Sequence, residues 1–350
     1  MEVINEPFNS EGNMSESITL FGLDIAKKVF HVCGMNRAGR VLLRKRLYRN
    51  EVLAFFAQTG KCEIAIESCG GSSYWAREIE ALEHKVKLIP AQYVKPFVKS
   101  QKNDTVDAEA IAEAAMRPTM RFVSPNSLSQ QDIQNVHRVR ERVVRQKTAL
   151  SNQIRGLLLE YGIIIPSGAA HVVRSITELI NDSEHAERIL WKDVFIQLRE
   201  EFIELDKKVK YYDKLLRRIS QEHEACQALE TLRGVGPVTS TAIVAAVGNP
   251  GDFKNGRQFA AWLGLVPKQH STGGKAKLLG ITKRGDRYIR KLLVHGGRSE
   301  VQFAKKRENT WLLALKERRG FKRASVAQAN KNARRIWATL NKHYQEKLAA

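Results

Sequence analysis

Apolar and polar positions divide the chain into two regimes. Up to Pro118, short apolar runs alternate with brief helical patterns; from Ser129 onward, long amphipathic stretches take over. In the first regime Ile18–Leu23 and Val29–Cys33 are strand-like runs separated by the hairpin-like connection Asp24–Lys28, and Val41–Tyr48 alternates as a third strand. Glu51–Gln58 has helical spacing, Cys62–Glu67 reads as a fourth strand, Tyr74–Leu82 as a helix and Val86–Ile89 as a fifth strand stopped at Pro90. The alanine-rich Asp104–Met116 is then helical and ends before Pro118. Three strands on short turns followed by helix, strand, helix, strand, helix is the order of a ribonuclease-H-like domain. A doubly wound fold would need a crossover helix between the first two strands, and the connection is too short to hold one.

In the second regime, Ser129–Tyr161 contains no proline and no glycine before Gly156, and its apolar residues include Ile133, Val139, Val143, Leu150, Ile154 and Leu158. A second amphipathic stretch runs from about Glu184 to His223, with the Gly/Pro-containing segment Pro166–Ala170 between the two. Such helices form a helical hairpin or coiled-coil arm, which serves oligomerisation or packing within one chain equally well. The expected architecture is α/β plus α: a polar, disordered tail over 1–16, an α/β domain over 17–124, a helical or coiled-coil connector over 125–226 and a mostly helical domain over 227–350. Met14 is a candidate natural start, since the first patterned strand follows closely.

Charge changes this picture mainly at the C-terminal end. Residues 254–350 carry 24 Lys/Arg against 5 Asp/Glu, whereas the preceding segments are nearly balanced, so this block holds almost all of the net +21. One-signed charge on that scale is the footprint of a polyanion partner, nucleic acid before membrane. A merely solubilising surface would mix signs. The four cysteines form no C-x-x-C pair and no zinc spacing, as expected of reduced thiols. No apolar core resembles a signal peptide and no apolar run is long enough to cross a bilayer, so the expectation is a cytoplasmic, nucleoid-associated protein with no membrane partner.

Three constellations carry chemistry. The first is Asp24, Glu67, Asp104 and Asp107. Asp24 and Glu67 end the first and fourth strands, which are neighbours in a ribonuclease-H-like sheet, while Asp104 and Asp107 lie three apart on one helix face. Convergent carboxylates are costly unless cations neutralise them, and hard oxygen donors suit Mg²⁺ or Mn²⁺. Two such ions can stabilise both the attacking and the leaving oxygen at phosphorus. Singly, each acid has an ordinary reading as a cap or turn residue; the ordered set is what points to catalysis. The second constellation is Arg233-Gly234-Val235-Gly236-Pro237, the turn of a helix-hairpin-helix, whose glycines let backbone N–H groups approach a phosphate; its ordinary reading is a plain helical connection. The third places Ser271 in a glycine-rich mobile loop flanked by Lys268, Lys275, Lys283, Arg284, Arg287 and Arg290. It has neither P-loop spacing nor a G-x-S-x-G elbow. Such a loop can cradle phosphate or present a hydroxyl to it, and a loop serine is also commonly just a turn residue.

Together these blocks resemble the insertion sequence 110 family of DEDD transposases, which includes the Piv-type invertases. The motifs that carry the resemblance are G-L-D-I-A-K, A-I-E-S-C-G, K-N-D-T-V-D-A, R-G-V-G-P and S-T-G-G-K…G-I-T-K-R-G-D, in the family's order from about Ile18 to Leu293. The resemblance implies a RuvC-like N-terminal domain with Asp24, Glu67, Asp104 and Asp107 as its acids, a coiled-coil connector, and a C-terminal transposase domain with a catalytic serine. Ser271 is the serine in that loop. It further implies DNA strand exchange through a phosphoserine intermediate in a homo-oligomer, dimer or tetramer, guided by a structured RNA. The same acids also fit a metal-dependent endonuclease of the Holliday-junction kind, in which water attacks and Ser271 is a bystander. A nucleic-acid-binding scaffold without catalysis is the third reading.

Overall fold

The computed structural model describes residues 17–98, 104–166, 168–182 and 189–349, except the side chains of Asp104, Thr105 and Ala276. The expected N-terminal tail lies outside the described residues. The chain forms two compact units, Met1–Ser127 and Leu128–Ala350.

The first unit is built on five strands, β1 (Leu20–Asp24), β2 (Val29–Met35), β3 (Val41–Tyr48), β4 (Glu63–Ser68) and β5 (Lys85–Pro90), in the order β3-β2-β1-β4-β5. β1, β2 and β3 are antiparallel neighbours on short turns, while β4 pairs parallel to β1 and β5 parallel to β4. The parallel pairings need crossovers, which α1 (Val52–Ala57) and α2 (Ser72–Glu80) supply. Side chains alternate across the strands, so one face gathers Phe21, Leu23, Phe30, Val32, Ile64 and Ile66 against Val52, Phe56, Trp75 and Ile79 of those helices. Each large side chain buried there contributes roughly 1.5–3 kcal/mol. The other face presents Leu20, Ala65 and Ile89 to a later helix, α4 (Asp104–Ala115), which follows the short α3 (Ala91–Val94). The sheet is therefore covered on both faces.

The second unit opens with two long helices, α5 (Leu128–Leu159) and α7 (Ile189–Glu222). Arg140 meets Asp213 and Lys147 meets Asp206, so one helix descends seven residues as the other rises seven: they run antiparallel. Val143, Leu150, Ile154, Phe195, Phe202 and Leu205 fill the seam. The segment between them holds more than a separator. It carries α6 (Ala169–Ile180), amphipathic through Val172 and Ile176, and fastened to α7 by Arg199 Nε donating to Thr177 Oγ1 at 2.9 Å.

The remaining elements are α8 (Glu224–Glu230), α9 (Pro237–Ala246), α10 (Gly256–Trp262), strands β6 (Pro267–Thr272) and β7 (Lys275–Ile281), α11 (Arg287–Gln302) and α12 (Thr310–Ala349). The helices close around Leu229, Ile243, Phe259, Leu263, Leu293 and Ile336. α5 is docked on this bundle by polar contacts. Gln130 and Gln134 donate to the Val244, Val247 and Ala245 carbonyls at the end of α9, groups a helix terminus leaves without partners. Lys291 of α11 pairs with Glu141 of α5 at 2.7 Å. No described helix is long and apolar enough to cross a membrane.

Candidate functional site

Asp24 stands at the C-terminal end of β1 and Glu67 near the C-terminal end of β4. The parallel register runs Leu20↔Glu63 through Leu23↔Ile66, and Asp24 and Glu67 are the residues that directly follow its last pair. Alternation places both on the face shared by Gly22 and Ala65, which α4 covers. A β-carbon on Gly22 would lie 2.2 Å from the Ala108 carbonyl oxygen and 2.7 Å from the Ala112 nitrogen, so the α4 backbone rests directly on β1. Met116, just past the end of α4, lies against Gly39 beyond β2, at the N-terminal end of β1. The start of α4, with Asp104 and Asp107, is therefore at the opposite end, where Asp24 and Glu67 are. Asp107 is half-buried, and the side chain of Asp104 is outside what the structure describes.

Cys69, just beyond β4, reports the local field. Burial raises its thiol pKa first, and the negative charges of Glu67 and then Asp24 raise it further. One thiol thus feels both carboxylates. Among the described residues no group of three His, Cys, Asp or Glu side chains is placed to hold a metal ion as it stands. The donors at this end of the sheet are nevertheless hard oxygens, the kind that suit Mg²⁺ or Mn²⁺.

In the second unit, the Arg233-Gly234-Val235-Gly236 turn is built by close packing. Gly234 adopts φ +79°, and the Gly234 carbonyl oxygen would lie 1.9 Å from a β-carbon on Gly296 of α11. Asn332 Nδ2 of α12 donates to the Arg233 carbonyl at 2.9 Å, leaving the exposed Arg233 side chain outside. Gly236 caps α9, and the space where its side chain would be is open. Gly234 therefore answers to packing, while Gly236 keeps the start of α9 open to an approaching group.

Ser271 is not in a mobile loop, contrary to the sequence expectation. It lies on β6 of a two-stranded ribbon whose register pairs Gln269↔Leu278, His270↔Lys277, Ser271↔Ala276 and Thr272↔Lys275. The turn is Gly273-Gly274, with φ +57° and +76°, the left-handed pair that a two-residue hairpin requires. A Gly-Gly between alternating segments is the sequence signal for this ribbon; the polarity of Lys268–Thr272 masks it as a loop. Directly paired residues share a face, so Gln269, Ser271 and Leu278 project from one side, and His270, Thr272, Lys275 and Lys277 from the other. Gln269 Nε2 donates to Ser271 Oγ at 2.7 Å.

Of the other predicted cations, Lys268, Lys275, Lys283, Arg284 and Arg287 are exposed. Arg290 instead turns inward, its guanidinium donating to the Leu263 and Arg284 carbonyls at 3.0 Å each. It braces the crossing where a β-carbon on Gly285 would lie 1.8 Å from the Trp262 oxygen. Lys277 on the ribbon and Arg319, Lys322 and Arg323 on α12 are exposed cations too; they belong to the one-signed run of the last 97 residues, in which no motif singles them out.

Residues 21–163 match a DEDD transposase family, and residues 226–311 match the family described as Transposase IS116/IS110/IS902. A probable family 20 transposase of Pseudomonas aeruginosa is 42% identical over 330 residues, covering 93% of this chain and 98% of that protein. The transposase for insertion sequence element IS1111A of Coxiella burnetii is 39% identical, covering 96% of this chain and 93% of its own length. More distantly, a pilin gene-inverting protein of Moraxella bovis is 23% identical over 276 residues, 73% of this chain and 74% of that protein. With likeness of this degree along nearly its whole length, the chain belongs to the IS110 family of transposases.

Proposed function

We propose that this transposase cuts and rejoins the DNA ends of its insertion sequence through two sets of residues, the carboxylates Asp24, Glu67, Asp104 and Asp107 and the hydroxyl of Ser271. The reading is supported by the β1–β4 register, whose last pair, Leu23↔Ile66, is followed directly by Asp24 on one strand and Glu67 on the other, at the end of the sheet where α4 begins. The strand order supports a ribonuclease-H-like, RuvC-like assignment for residues 17–124. The four acids would hold Mg²⁺ or Mn²⁺, which when bound supplies charge neutralisation at a scissile phosphate and favours ionised over protonated oxygen nucleophiles.

Ser271 Oγ gives up its proton and attacks phosphorus, forming an Oγ–P bond as the P–O bond to the departing strand end breaks; the bonding pair leaves with that oxygen, which takes up one proton in place of the one the serine released to solvent. Gln269 donates to Oγ, which orients the oxygen and favours loss of its own proton. The exposed Lys268, Lys275, Lys283 and Arg284 can offset the charge that develops at the phosphate. Attack by a strand-end hydroxyl oxygen on the phosphoserine phosphorus then forms the new P–O bond as the Oγ–P bond breaks; the pair returns to Ser271 Oγ, which takes up the proton the attacking hydroxyl gives up, and the DNA is rejoined. The α8–turn–α9 segment acts as a helix-hairpin-helix that grips a phosphate at Gly236, and Arg233, Arg287 and Arg290 belong to the same basic domain, 227–350, although Arg290 serves by bracing it. The connector, 125–226, supports a dimer or tetramer. A structured RNA is the proposed guide, following from family membership.

The test is excision and joining of a plasmid bearing the element's ends. Asp107→Asn and Ser271→Ala should each abolish joined product while leaving DNA retention on a gel close to wild type. Full joining in EDTA would remove the metal part of the reading, and normal joining by Ser271→Ala would remove the serine.

A further inference from the structure

Between the ribbon and α12 lies an open groove of about 930 Å³. Its lining is largely apolar, with Leu278 and Leu279 of β7 on one side and Leu315 and Val326 of α12 on the other. Leu278 is 66% exposed and Leu279 43% exposed, two adjacent leucines that leave apolar surface open in the groove. Its rim is cationic: Lys283, Arg319, Lys322 and Arg323 line it, and no carboxylate does among the described residues. Two features hold the groove open. Asn330 Nδ2 donates to the Leu265 carbonyl at 3.1 Å, tying α12 to the ribbon's base. Gly320, at φ +78° and ψ +164°, kinks α12 beside Arg319 and Lys322.

We propose that this groove holds an unpaired DNA strand beside Ser271, with its bases turned onto the leucines and its phosphates on the α12 cations. A duplex shows phosphate and sugar on its outside and would gain little from an apolar lining. A strand with bases turned out of the stack offers apolar faces on one side and charge on the other, the complement of this groove. Leu278 and Ser271 project from the same ribbon face by register, so a strand lying on Leu278 runs past the hydroxyl. The choice of DNA rests on the reading of Ser271 as the attacking group.

The experiment uses the full chain and three fluorescein-labelled probes of one sequence: single-stranded DNA, the corresponding duplex and single-stranded RNA. A companion DNA strand carries 2-aminopurine at its centre. Leu278→Gln combined with Leu279→Gln should weaken single-strand binding about tenfold and abolish the rise in 2-aminopurine emission that accompanies unstacking. Duplex binding should stay within about twofold of wild type, which also shows that the variant is folded. Arg319→Gln combined with Lys322→Gln should flatten the log-affinity against log-salt slope for the single strand by about 0.7 per cation. Ser271→Ala should bind the strand normally, so failure of the serine mechanism leaves this test intact. Equal losses on duplex and single strand, single-strand affinity unaffected by the leucine changes, or tighter binding of RNA than DNA would each overturn the proposal.

Discussion

At Gly22 any β-carbon would press into the α4 backbone, 2.2 Å from the Ala108 oxygen. Gly22→Ala should therefore push α4 off the sheet and carry Asp107 away from Asp24 and Glu67. We expect a stability loss of about 1–3 kcal/mol by urea denaturation and a larger fall in strand cleavage than in DNA binding. Unchanged stability with normal cleavage would contradict this packing. His137 is a second residue whose surroundings decide its behaviour. It is buried in α5 between Tyr288 Oη at 3.0 Å and Thr241 Oγ1 at 3.1 Å, and burial, helped by the Arg140 charge, pushes its pKa down to about 4. A folded pKa below the unfolded value near 6.5 means that this stabilisation is present above pH 6.5 and is lost as pH falls toward 4. Between pH 7 and 5 the wild type should lose about 2 kcal/mol more than His137→Gln in paired urea titrations. Parallel pH profiles would show that His137 is not the group responsible.

Among the elements, α12 depends on Gly320, whose φ +78° and ψ +164° suit glycine almost alone. Gly320→Ala should cost about 1–3 kcal/mol or straighten the helix, and either outcome should weaken single-strand binding; full stability and affinity would mean that the kink is dispensable. The β-sheet was legible in the sequence because each strand is a short apolar run bounded by a turn, and because the short Asp24–Lys28 connection leaves only an antiparallel start. The placement of Asp24 and Glu67 at neighbouring strand ends followed from strand order alone. The ribbon was not legible in the same way: Lys268–Thr272 has no buried face to impose an apolar alternation, and only Gly273-Gly274 marks the turn. α6 was hidden by the Pro166–Ala170 punctuation that overlaps its first residues. The inward role of Arg290 depends on the crossing of Gly264 and Gly285 with distant backbone, which no local pattern encodes.

For the whole molecule, the acids lie in one compact unit and Ser271 in the other, so the two sets can act together within one chain or across two. Mixing Asp24→Asn protein with Ser271→Ala protein distinguishes these arrangements: with the long helices supporting an oligomer, we expect partial recovery of joined product. No recovery from folded, co-assembling variants would place a complete site in each chain. The proposed chemistry attaches DNA covalently to Ser271. The most direct measurement is denaturing electrophoresis and peptide mass spectrometry of the full-length protein after reaction with labelled element ends in Mg²⁺. A protein–DNA adduct mapped to Ser271 is expected, absent from Ser271→Ala and from Asp24→Asn. Cleaved DNA with free ends, no adduct, and equal cutting by Ser271→Ala would contradict it and identify water as the attacking group.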